Sequence, residues 1–165
     1  MSQNDPESAP LARPQQARWG GIDRHAGFAG YLGLLPFVAA LLLAAFGNAA
    51  TAAFGVRLAI AWGAVILTFI AAVHWGLALA GRWRWSLGVV AVSTVPSVLG
   101  AAALLVGGEP AIALLVVGFG GFWLLEHRHF AADLPADYLA LRRNLSLGVC
   151  ALLALTAFAA AGDVA

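Results

Sequence analysis

His74 is the residue of this chain best placed to do chemistry. It stands in the stretch Ala71-Ala72-Val73-His74-Trp75-Gly76, which closes an uncharged apolar run beginning at Leu58. A run of that length and composition reads as a membrane-spanning helix, so the imidazole lies inside a bilayer. An ionisable group there is costly to hold, and it faces protein or a polar cavity rather than lipid. Such a histidine can relay a proton, ligate a metal or anchor a polar headgroup. Counting back from the end of its span places it about 9 Å deep. At helical spacing it shares a face with Gly63, Leu67, Ala71 and Ala78. Small residues on that face let another helix approach closely, which points His74 into a bundle. The plainer alternative is a buried histidine bonded to a carbonyl, a hydroxyl or Tyr31.

Other chemically capable residues fall into two groups. Ser86, Ser93, Ser97 and Gly100 form one stripe, and Pro96 interrupts the backbone ladder beside it. Hydroxyls there can take up carbonyls that proline frees, so the segment reads as a kinked packing helix or a polar path. Pro36 reads as a similar kink in the first span. The second group is Glu126-His127-Arg128-His129 with Asp133 and Asp137. These are metal-ligand types, and His129, Asp133 and Asp137 recur every four residues. Pro135 would break a helix carrying them, so the segment reads as a solvated interfacial loop with no metal site. On this reading no acid or arginine lies within the membrane to work with His74, which disfavours ion-coupled transport. Haem held by two histidines is disfavoured too, because His25, His127 and His129 lie near or beyond the interface.

Composition sets the class. The chain has 165 residues, of which 62% are hydrophobic and 10% charged, with a mean hydropathy of +0.87. A soluble domain of this size has about a quarter charged residues, and the deficit calls for an apolar solvent. All 9 basic residues are arginine. No basic patch interleaved with aromatics exists, which disfavours nucleic-acid binding. The single Cys150 rules out an intrachain disulfide or a redox pair.

The elements that must position His74 follow from the apolar segments. A polar tail over 1–26 precedes a transmembrane domain over 27–162. Spans are expected at about 27–46, 58–80, 86–106, 110–126 and 145–161. Gly107-Gly108-Glu109-Pro110 reads as a tight turn, with Pro110 in the first turn of the next helix. The segment 127–144 reads as the one sizeable internal loop, with Arg142 and Arg143 as topology anchors at its end. Five spans put every arginine except Arg57 on one side. The positive-inside rule makes that side cytoplasmic, with the N-terminus inside and the C-terminus outside. The tryptophan belt agrees, placing Trp75, Trp83, Trp85 and Trp123 near the cytoplasmic interface and Trp62 near the opposite one. The expected fold is therefore an all-α, five-helix transmembrane bundle in a bacterial inner membrane.

Several motifs together resemble one family. They are Gly30-Tyr31-Leu32-Gly33-Leu34-Leu35-Pro36-Phe37, Gly63-Ala64-Val65-Ile66-Leu67-Thr68-Phe69 followed by His74-Trp75-Gly76, Val95-Pro96-Ser97, and Leu134-Pro135 with Tyr138, Leu141-Arg142 and Leu145-Ser146. The chain is similar over residues 28 to about 160 to the transmembrane protein 69 family, also called domain of unknown function 3429, found in bacteria and mitochondria. The resemblance implies a helical integral membrane protein and carries no reaction. It marks Tyr31, Pro36, His74, Trp75, Pro96 and Arg142 as motif positions.

The functional expectation is a non-enzymatic scaffold or assembly partner in a membrane complex. Its partners would be the lipid bilayer and a membrane protein or further copies of itself. The alternative is a proton- or small-molecule-handling protein, with His74, Tyr31, Ser97 and Arg142 lining a pocket open to the cytoplasm. Electron transfer through haem or quinone ranks below both, and no cofactor is assigned. Purified protein should show no Soret band in its visible spectrum; a stoichiometric Soret absorbance would reverse that assignment.

Overall fold

The computed structural model describes residues 24–162. The polar tail expected over 1–26 lies outside the described residues up to position 23, as does the tail Asp163–Ala165. Six α-helices follow one another: α1 (Arg24–Leu32), α2 (Leu35–Phe46), α3 (Ala49–Leu79), α4 (Leu87–Val106), α5 (Gly108–His129) and α6 (Ala136–Gly162). A 3₁₀ turn at Ala131–Asp133 joins the last two, and no strand occurs among the described residues. Five segments are long and apolar enough to cross a membrane: Gly27–Phe46, Ala49–Leu79, Leu87–Val106, Gly108–His129 and Ala136–Ala161. The protein is an all-α, multi-pass membrane protein. Its outer surface is correspondingly apolar, with Leu105 89% and Phe46 83% exposed, as lipid rather than water requires.

Helix α3 is the axis of the bundle. Helices α2, α6, α5 and α4 follow one another in an arc, and α3 packs against all four. Phe37, Leu67, Leu115, Phe119 and Leu153 fill the interior. Close approach depends on glycine where backbones meet. A Cβ on Gly55 would lie 2.6 Å from the Ala40 carbonyl oxygen of α2, so a side chain there must push α2 and α3 apart.

The helix ends differ from those read off hydropathy, and each difference has a local cause. α3 starts at Ala49 instead of 58, because Asn48 caps it: its Oδ1 accepts from the Thr51 amide at 3.0 Å. The 31-residue helix is about 46 Å long, so it tilts or projects beyond a hydrocarbon core of about 30 Å. Arg57 therefore lies within α3, exposed. Trp62 lies near the middle of this helix. Its indole Nε1 donates to the Gly33 carbonyl at 2.9 Å. That carbonyl is free because the first span is broken between α1 and α2. Pro36 accordingly stands in the first turn of α2 rather than at a mid-helix kink. Pro96, by contrast, lies inside α4.

The supposed loop 127–144 is mostly helix. α5 runs on through His129 and α6 begins at Ala136, leaving Phe130–Pro135 between them. The tight turn at Gly107-Gly108 is present, with both residues at positive φ and Pro110 in the first turn of α5.

Gly55→Val should lower the thermal midpoint in detergent, with a cost of about 1–3 kcal/mol for overpacking. Gly121→Ala, where an added Cβ meets nothing within 4 Å, should leave the midpoint unchanged.

Candidate functional site

The extension of α5 and α6 into the segment read as a loop places charged residues in the bundle interior. At the end of α5, helical spacing turns Glu126 inward while His127, Arg128 and His129 stay exposed. On α6, Tyr138 and Arg142 are one turn apart on the face turned toward α5. On α3, the face of Gly63, Leu67, Ala71, His74 and Ala78 is the buried one. Three helices thus bring three ionisable groups and a phenol together.

Glu126 is their centre and is 0% exposed. Its Oε2 accepts from Arg142 Nε at 3.1 Å. Its Oε1 accepts from the Tyr138 hydroxyl at 3.3 Å and lies 3.5 Å from His74 Nε2. A carboxylate out of water is tolerable when paired and bonded in this way. The Arg142 guanidinium also lies over the Phe122 ring, 5.1 Å from its centroid, which adds a cation–π contact.

Aromatic rings close the site around the histidine. Trp83, Phe122 and Phe130 have ring centroids 5.1, 5.3 and 5.3 Å from that of His74. Trp83 and Phe130 stack on each other at 4.7 Å. The α3–α4 turn places Trp83 there. Arg82 N donates to the Leu77 carbonyl and Gly81 N to that of Ala78, the pairing of a Schellman cap. Gly81 has φ +68, a conformation that glycine adopts without strain.

The residues singled out from sequence meet only in part. His74 and Arg142 converge, but through Glu126, which sequence reading had assigned to a solvated loop. Glu126 and Arg142, expected to lie outside the membrane, are both buried in helices long and apolar enough to cross one. Tyr31 is 49% exposed and takes no part in the cluster. Ser97 is partly buried on α4 and is not hydrogen-bonded to the cluster. Arg142 is buried inside α6 rather than snorkelling at a helix start. His129, Asp133 and Asp137 fall on α5, the 3₁₀ turn and α6, so they share no helix face. No group of three or more metal-ligating side chains occurs among the described residues. Glu126, Tyr138, Trp83 and Phe130 were missed. The usable signal was the 3.6-residue period continuing past Leu125, which sends Glu126 to the side of Phe122 and Phe119.

The sequence pattern of a family described as "Protein of unknown function (DUF3429)" matches residues 22–158. The chain belongs to the DUF3429 family. The match spans every element of the cluster in this DUF3429 protein, from α3 to the start of α6. No curated protein and no solved structure matches the chain.

Removing one partner strands the other charge. Glu126→Leu should therefore destabilise this DUF3429 protein by about 3–5 kcal/mol, and Arg142→Met by a similar amount. The double variant should recover most of the loss, because no buried charge remains. Detergent melting of the four proteins in a double-mutant cycle checks this, and additive losses would refute the pairing as the cause.

Proposed function

We propose that the protein is a non-enzymatic component of a bacterial inner membrane, a scaffold or assembly partner within a membrane complex. Its arginine-rich end, with Arg82, Arg84 and Arg128, would face the cytoplasm. The observation that carries this reading is the closure of the polar cluster. Glu126 accepts from Arg142 and Tyr138 with His74 Nε2 3.5 Å away, and the imidazole is walled by Trp83, Phe122 and Phe130. Catalysis needs reacting groups that a substrate can reach. A carboxylate whose neighbours already occupy it serves better as a lock holding α3, α5 and α6 in register. What such a rigid bundle offers is its outer surface. Gly120 and Gly121 of α5 support that view, since a Cβ at either position would meet nothing within 4 Å. Internal packing gives no reason for glycine there, whereas a docked helix from a partner does.

A proton- or small-molecule-handling site centred on His74 is less well supported, because the ring is enclosed and Tyr31 stands apart.

Two measurements test the proposal. A photo-crosslinking residue at Gly121 should yield one dominant adduct in native membranes, and the same residue at Phe46 should not. A chain that stays monomeric and uncrosslinked at native expression would defeat the scaffold reading. For orientation, a cysteine replacing Arg84 in a Cys150→Ser background should react with an impermeant maleimide only in inverted vesicles. Reaction in intact spheroplasts would reverse the topology.

A further inference from the structure

Besides both ring nitrogens of His74, two buried polar atoms have no hydrogen-bond partner: Arg142 Nη2 and Ser146 Oγ. Both side chains belong to residues 5% exposed. They are one helical turn apart on α6, so they face the same way. Ser146 differs from the other buried helical hydroxyls. Ser93 and Thr156 each donate to the carbonyl four residues back, the ordinary way for such a group to be satisfied within a helix. Ser146 does not, and its hydroxyl stays free. A buried donor left unpaired costs about 1–3 kcal/mol, so two together ask for an acceptor.

The same two residues line a cavity of about 190 Å³ between the α1–α2 break, α3 and α6. Its remaining wall is almost wholly apolar, with Ile70, Val73 and Val149 among the lining residues. Phe69, also on the wall, is 69% exposed, so this wall borders the outer surface of the bundle. Its shape and chemistry are those of an oily slot whose wall includes the two residues that carry unpaired donors. The charge state narrows the ligand further. Arg142 is already neutralised by Glu126 at 3.1 Å, so a second anion would sit beside a carboxylate with no cation of its own. A neutral oxygen acceptor meets no such penalty.

We propose that this cavity binds the neutral carbonyl of a lipid-soluble molecule, with Arg142 Nη2 and Ser146 Oγ donating to the carbonyl oxygen and the apolar body lying toward the bilayer. The carbonyl can come from a glycerolipid ester or from a quinone ring. Binding at this slot is independent of the scaffold role, since it uses donors that the Glu126 lock leaves over.

The test uses the full chain in nanodiscs, titrated with dioctanoylglycerol, decylbenzoquinone and decanoate and read by thermal shift and native mass spectrometry. One of the two carbonyl probes should bind at one equivalent and raise the melting midpoint, and which of them does so identifies the source. Ser146→Ala should weaken that probe roughly three- to tenfold, the worth of one hydrogen bond. Val73→Phe, which adds bulk to the cavity wall on α3 and replaces neither donor, should abolish binding. The melting midpoint of each variant without probe confirms that it is folded. Failure of both carbonyl probes to bind, tighter binding of decanoate, or equal binding to wild type and both variants would each overturn the proposal.

Discussion

A carboxylate removed from both water and lipid headgroups must find its counter-charges within the protein, and Glu126 imposes that condition on the whole bundle. Arg142 on α6 supplies the charge and Tyr138, one turn before it, a hydrogen bond, with His74 Nε2 on α3 lying 3.5 Å away. The Arg142 and Tyr138 contacts exist only because α6 begins at Ala136, ahead of the hydrophobic stretch that first announces it. The ion pair therefore constrains helix length, rotation and register together. Buried pairs of this kind add little net stability compared with apolar replacements, but they penalise every arrangement that separates them. In a bilayer, helices have no hydrophobic drive to choose one neighbour over another, so such a penalty is an effective way to specify packing.

The rest of the architecture serves that constraint. α3 can present His74 to α5 and α6 because it is the central helix, touching all four other spans. The Schellman cap at its end turns the chain so that Trp83 returns over the imidazole. Phe130, immediately after α5, stacks on Trp83 and completes the enclosure. At mid-bundle the broken first span leaves the Gly33 carbonyl free, and Trp62 of α3 takes it up. That bond holds the α1–α2 break against α3, where it forms one wall of the cavity that Arg142 and Ser146 line. The charged lock and the apolar slot thus meet at one residue, Arg142, whose Nε faces Glu126 and whose Nη2 is left over.

Much of the fold was legible in the residues. The number of spans follows from hydropathy, and the buried face of α3 follows from the spacing of Gly63, Leu67, Ala71 and His74. The turn at Gly107-Gly108 was also plain. What misled was charge near helix ends. Arg57 made α3 look as if it started nine residues later than it does. The run Glu126-His127-Arg128-His129 looked like a solvated loop because its average is polar. A helix does not average, however: it sends successive residues to different sides, and one of those four went to the core.

The sequence by itself determined that this is a five-span helical membrane protein and that His74 points inward. Both are local properties, set by apolar length and by the period of a single helix. Only the tertiary structure decided what His74 points at. Glu126 and Arg142 are sixteen residues apart along the chain, and His74 is farther still. Their meeting depends on how three separate helices rotate against one another, and that rotation is a property of their shared packing.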